Sequence, residues 1–192
     1  VSHDIKTPLT SIINYIDLIK RLDIQNNSLI EYINVLNKKS DRLKMLINDL
    51  IEASKAGTGN VSVNLQEIDL VEITGQIAGE FDSLFKKIEL EFVFRHSEEK
   101  TTVIADGRHL WRIMENIFSN TAKYSVSNTR IYADISKEDG CVIFSLKNVS
   151  KEKLGITSEE LMEQFVRGDR SRHSEGSGLG LYIARSLSEL IG

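Results

Sequence analysis

Four short stretches carry residues whose chemistry goes beyond packing. The most informative is ENIFSNTAKYS, in which Asn116, Asn120 and Lys123 recur at intervals of four and three, with Tyr124 following. On a helix that spacing sets the three on one face, while Ile113, Ile117 and Phe118 form an apolar face opposite. Amide oxygens are neutral ligands suited to Mg2+, which keeps waters and substrate phosphates as its other ligands, and a neighbouring lysine would pair with phosphate. Asparagine is a poor helix former, so two of them one turn apart ask for a reason. A polar solvent face remains the plainer account.

The second stretch, SEGSGLGLYIARSL, places Gly176, Gly178 and Gly180 before or at the start of a helix. Backbone amides at a helix N-terminus close readily on phosphate. No βαβ context precedes the run, which argues against a dinucleotide site and leaves a glycine-rich turn as the alternative. The third, LMEQFVRGDRSRH, surrounds Phe165 with Arg167, Arg170 and Arg172, as a lid over a polyphosphate or a basic loop would. The fourth is SHDIKTPLT. His3 and Thr7 are one helical turn apart, off the seam that Ile5 and Leu9 would bury. Imidazole is nucleophilic at neutral pH, and Asp4 could accept from Nδ1–H, leaving Nε2 free to attack. Pro8 leaves the Asp4 carbonyl without its helical partner and favours a bend there. By itself this stretch fits a solvated helix histidine.

The elements that position these residues fall into two textures. Ile5, Leu9, Ile12, Ile16 and Ile19 alternate spacings of four and three, and after DIQNN the pattern resumes at Leu29, Ile33, Leu36, Ser40, Leu43, Ile47 and Leu50. This is the stripe of packed helices, and a short polar link makes the two antiparallel neighbours. A pair cannot bury stripes this long alone, so a homodimer forming a four-helix bundle is expected. The run KAGTGN interrupts the helix. Beyond it come a helix from about Leu70 to Lys86, a strand in IELEFVF, a short strand and an Asp106 that could cap a helix through Lys123, a strand pair joined by KEDG, a short helix from about Ser158, and a last helix beginning within GSGLGL. The expected fold class is α+β: a helical hairpin, then a sandwich with one antiparallel-type sheet and helices on one face. The expected divisions are residues 1–56, a linker at 57–64, and residues 65–192.

Composition excludes several classes. The 192 residues carry a net charge of −4, which gives no footprint for nucleic acid. The single cysteine, Cys141, allows no internal disulfide and reads as core packing. His96, His109 and His173 lack metal-ligand spacing and read as surface or capping residues, and Trp111 reads as packing. No stretch is long enough to span a bilayer. Both ends read as cut, so membrane spans are expected in missing N-terminal segments.

Taken together and in order, the stretches resemble the cytoplasmic catalytic core of bacterial two-component sensor histidine kinases. SHDIKTPLT is similar to that family's H box, NIFSNTAKYS to its N box, MEQF to its F box and GSGLGL to its second glycine box. The resemblance implies a dimerisation and histidine-phosphotransfer domain followed by an ATP-binding domain of the gyrase-like type, with ATP and Mg2+ as cofactors and a response regulator as partner. It implies His3 as phosphoacceptor, Asp4 as the residue that orients it, and Thr7 as an aid to the reverse, phosphatase reaction. Asn116 and Asn120 would hold Mg2+, and Lys123 and Arg167 would contact phosphate. Tyr124 would line the pocket, and Gly176, Gly178, Leu179 and Gly180 would admit the phosphates. The fragment would be cytoplasmic, in a protein anchored in the bacterial plasma membrane.

One box departs from the family pattern. Where similar kinases carry an aspartate that reads the adenine amine, this sequence has Asn148, and the two following glycine positions are Ser150 and Glu152. A neutral acceptor is about half as strong as a charged one, so nucleotide binding weaker by about 1 kcal/mol is expected. A dimer that docks a regulator without transferring phosphate, or one acting mainly as a phosphatase, is the alternative.

Overall fold

The computed structural model describes residues 2–22, 26–57, 62–97, 101–153, 155–163 and 178–191. The chain divides into two compact units, Val1–Lys55 and Ala56–Gly192.

The first unit consists of helix α1 (Ser2–Lys20) and most of helix α2 (Asn27–Gly57). α1 is continuous through Pro8, as the helical spacing across it predicts. Pro8 is the seventh residue of the helix, so its missing N–H costs the one bond to the Asp4 carbonyl while the helical run carries on past it. The seam is buried in alternate members. Leu9 and Ile16 on α1 and Ile33 and Ser40 on α2 are buried, whereas Ile12, Ile19, Leu29, Leu36, Leu43 and Leu50 are exposed.

The second unit runs β1 (Gln66–Asp69), α3 (Leu70–Lys87), β2 (Leu90–Arg95), β3 (Thr102–Ala105), α4 (Gly107–Tyr124), β4 (Thr129–Glu138), β5 (Cys141–Lys147), α5 (Ser158–Leu161) and α6 (Gly180–Ile191). Its helices start where the sequence supplies caps. Asp69 accepts from the amides of Val71 and Glu72 ahead of α3, and Asp106 does the same for Arg108 and His109 ahead of α4. Thr157 and Glu160 form a reciprocal capping box at α5.

The strands form two sheets rather than one. β1 pairs antiparallel with β3, and a second sheet has the order β2-β4-β5. In it β4 and β5 form a hairpin with positive φ at both Asp139 and Gly140, the conformation that an Asp-Gly turn supplies. β2 runs parallel to β4, with Leu90 opposite Thr129 and Arg95 opposite Asp134. This corrects the expectation of purely antiparallel pairing. A parallel pair needs a long crossover, and the segment from β3 through α4 provides it.

The core lies between this sheet and α3 and α4. Phe85 and Phe118 are buried with ring centroids 6.2 Å apart, and Phe81 and Phe92 pack tilted against Phe118 at 5.6 Å. Ile131, Ala133 and Ile135 supply alternate positions of the central strand. Trp111 packs against this cluster, as expected. Cys141 does not: it is exposed at the first position of β5, beside the hairpin turn, and so is no core residue. Among the described residues, no helix is long and apolar enough to cross a membrane.

Candidate nucleotide site

α4 carries the asparagines, and its register follows from its caps. The Asp106 carboxylate accepts from the Arg108 amide at 2.9 Å and the His109 amide at 3.3 Å. It also accepts from the Asn64 amide at 2.8 Å and from Arg108 Nη2 at 3.2 Å. The Asn64 bond, more than the others, holds the Asp106 carboxyl far below the usual carboxylate range, although burial pushes the other way. At the far end, Ser125 closes α4 with its amide and hydroxyl both donating to the Thr121 carbonyl.

Between these ends Ile113, Met114 and Phe118 are buried in the core, so the asparagine face turns away from it. Asn116 donates its Nδ2 to the Arg112 carbonyl at 2.9 Å, which orients the side-chain amide along the helix. Its Oδ1 then lies against the first residue of α6. A Cβ placed on Gly180 would stand 3.1 Å from that oxygen and 3.9 Å from Asn120 Nδ2. Gly180 therefore lets the N-terminus of α6 approach both asparagines. Gly178 adopts a left-handed φ of 72°, and Leu179 between them is buried, anchoring the turn. Lys123 and Tyr124 are both exposed on the last turn of α4.

The loop after β5 is stitched to that same last turn. Lys151 N donates to the Tyr124 carbonyl and Val126 N to the Val149 carbonyl, both at 2.8 Å, and Ser125 bridges Ser150. Lys151 Nζ reaches the Lys123 carbonyl at 3.1 Å. Asn148 is exposed at the start of this loop. The structure thus brings together Asn116, Asn120 and Gly180, and sets the Asn148 loop beside Tyr124. His3, Asp4 and Thr7 lie in the first two turns of α1, in the other unit. Arg167 and Gly176 fall outside the described residues, as do Phe165, Arg170, Arg172 and His173.

Two residues on α4 escaped the sequence reading. Arg112, one turn before Asn116, donates from Nη1 to Glu115 Oε2 at 2.8 Å. The signal was the same four-residue interval that marked the asparagines. His109 is not a surface residue. Its side chain is 13% exposed, its Nδ1 lies 3.6 Å from Asp106 Oδ2, and that nitrogen has no hydrogen-bond partner among the described residues. His96 is exposed, with Nδ1 2.8 Å from the Ser97 carbonyl.

Two family models match the chain. Residues 1–59 match the His Kinase A (phospho-acceptor) domain, and residues 105–192 match the histidine kinase-, DNA gyrase B- and HSP90-like ATPase. The chain belongs to the sensor histidine kinases, as their catalytic core. The sensor protein VanS of Enterococcus faecium is 32% identical over 97% of this chain and 49% of its own length. Sensor histidine kinase WalK of Bacillus subtilis is 27% identical over 100% of this chain and 32% of its own. Among solved structures, full-length ShkA in complex with AMPPNP shares the fold, with a TM-score of 0.84 and 24% identity over 98% of this chain and 39% of that one. Histidine kinase ThkA, solved in complex with the response regulator protein TrrA, matches 76% of this chain and 42% of that one, with a TM-score of 0.52 and 24% identity. The chain spans about half or less of the length of these curated relatives.

Proposed function

We propose that this histidine kinase core transfers the γ-phosphoryl group of ATP to His3 and then to an aspartate of a response regulator. The observation that carries the nucleotide reading is the close approach of Gly180 to Asn116, where an added Cβ would stand a tight 3.1 Å from Oδ1. It sets the Asn116 side-chain oxygen beside the start of α6, whose backbone amides favour anions.

The residues present fit Mg2+. Asn116 Nδ2 is engaged with its own helix, so Oδ1 is the atom offered to a cation, and Asn120 follows one turn on. Among the described residues no cluster of three His, Cys, Asp or Glu competes for a metal. When bound, Mg2+ neutralises phosphate charge, as in other phosphoryl transfers. Lys123 adds a cation on the same face, Tyr124 lines the pocket, Gly178, Leu179 and Gly180 admit the phosphates, and Arg167 and Gly176 would contact them. Asn148 reads the adenine amine through its side-chain oxygen, and the lost charge weakens binding by about 1 kcal/mol.

In the transfer, the lone pair of His3 Nε2 attacks the γ-phosphorus, the bond to the β–γ bridging oxygen breaks, and ADP leaves. Asp4 accepts from Nδ1–H and stabilises the positive charge that develops on the ring. Thr7, one turn on, would orient water for the reverse, phosphatase reaction. Positioning and charge neutralisation supply most of the rate.

The exposed half of the helical seam supports a homodimer closing a four-helix bundle. The ThkA complex supports a response regulator as partner. Membrane attachment would belong to segments outside this sequence, with the core on the side where ATP is found. Incubation with γ-labelled ATP and Mg2+ tests the reading. Acid-labile, base-stable label is expected on the chain and not on its His3→Gln variant; equal label on both would overturn the assignment.

A further inference from the structure

The polar face of α4 does not stop at the asparagines. Arg112 precedes Asn116 by one turn, about 6 Å along the axis, and its side chain is 30% exposed while paired with Glu115. The structure also gives this face a direction. The loop bearing Asn148 is fastened to the C-terminal end of α4 at Tyr124, Ser125 and Val126. A base read by Asn148 therefore sits at that end, and the phosphates run back past Asn120 and Asn116 toward the N-terminal end. The group farthest from the base comes to the turn that holds Arg112.

We propose that Arg112 receives the terminal phosphate of the nucleotide, and that Glu115 holds the guanidinium in place until it arrives. This rests on the nucleotide-binding reading above. The charge balance favours it. A triphosphate carries more negative charge than one divalent cation offsets, and Lys123 lies at the other end of the row. A guanidinium presents paired N–H donors that match phosphate oxygens, and it stays charged throughout. Its present acceptor, Glu115, is 43% exposed, so the ion pair is half in solvent and is a weak competitor for a phosphate dianion. Exchange of Glu115 for phosphate oxygens keeps the guanidinium hydrogen-bonded throughout, so no buried charge is stranded. A diphosphate ends one group short of this turn, so Arg112 distinguishes ATP from ADP and contacts the group that is transferred.

The test is equilibrium binding of ADP and of a non-hydrolysable ATP analogue, each with Mg2+, by displacement of a fluorescent nucleotide. R112Q is expected to weaken the ATP analogue about tenfold, the scale of one lost charge-assisted contact, and to leave ADP unchanged. Unchanged ADP binding also reports that the variant is folded. R112K should recover part of the loss. E115Q, which removes the charge of this competing carboxylate, should strengthen the ATP analogue and not ADP. An R112Q protein with the same ratio of ATP to ADP affinity as the parent would overturn this proposal while leaving the nucleotide site standing. Failure of the parent chain to bind either nucleotide would overturn both.

Discussion

Asp106 performs two tasks with one carboxylate. Through Oδ1 it caps α4, and through Oδ2 it fastens the Asn64 amide, 42 residues earlier in the chain. The cap was legible, because an aspartate before an amphipathic run is a start signal. The Asn64 bond was not, since nothing local marks a long-range partner. The carboxyl titrates well below its ordinary value, so the sign of its pH effect follows. A depressed native pKa contributes stability that is full above the unfolded-state value of about 4 and is lost as pH falls below it toward the native pKa. D106A should lower unfolding stability in urea at pH 7 by about 1–2 kcal/mol, the range for a lost cap. D106N should lose less, because asparagine also caps. Its deficit relative to the parent should hold constant from neutral pH to about 5 and shrink below about 4. A deficit unchanged down to pH 3 would show that the charge on Asp106 does not carry this stability.

Helix α2 shows what periodicity determines and what it leaves open. The alternation of four and three marked both stripes of the seam, and the structure buries one of them. Ile33 and Ser40 are inside, and Leu29, Leu36, Leu43 and Leu50, each seven residues from the next, remain exposed. Spacing alone cannot say which member faces its own hairpin and which a second copy, because both belong to one continuous apolar sector. The strands were read with a similar limit. β4 and β5 announced themselves by alternation and a DG turn, but the short, polar β1 (QEID) has no alternation to read, and the parallel pairing of β2 with β4 depends on a crossover that strand composition does not encode. The exposed row makes a direct prediction. In the proposed dimer L36E and L43E place like charges on the interface, so sedimentation equilibrium should report a dimer for the parent and a monomer for the variant. L18E, on α1 and off the seam, exposes a residue that is already 56% accessible and should leave the dimer intact. A dimer that survives L36E and L43E would place the interface elsewhere.

At the scale of the whole molecule the proposed acceptor and the proposed donor site belong to different units. His3 belongs to the unit Val1–Lys55, and the asparagines, the α6 turn and the Asn148 loop belong to Ala56–Gly192. This division was legible as a change of texture at KAGTGN, from heptad spacing to mixed strands and amphipathic helices. The candidate site was legible in part. Asn116, Asn120 and Lys123 declared themselves by interval, but the contact of Gly180 with Asn116 and the stitching of the Asn148 loop to Tyr124 join residues distant in sequence. Each unit has its own buried apolar set: Leu9, Ile16 and Ile33 in one, and the phenylalanine cluster around Phe118 in the other. A unit with its own core is expected to fold alone. The tether then contributes effective concentration, about millimolar for a short link, rather than any group needed for the chemistry. Residues 1–57 and 58–192, prepared separately and mixed with ATP and Mg2+, should therefore still phosphorylate His3. The initial rate should rise linearly with the concentration of the second piece up to that scale, whereas labelling of the intact chain should be first order and independent of dilution. Label that never appears on the mixed pieces, with both folded by circular dichroism and the second still binding ADP, would mean that the junction takes part in the reaction and that the two units act as one.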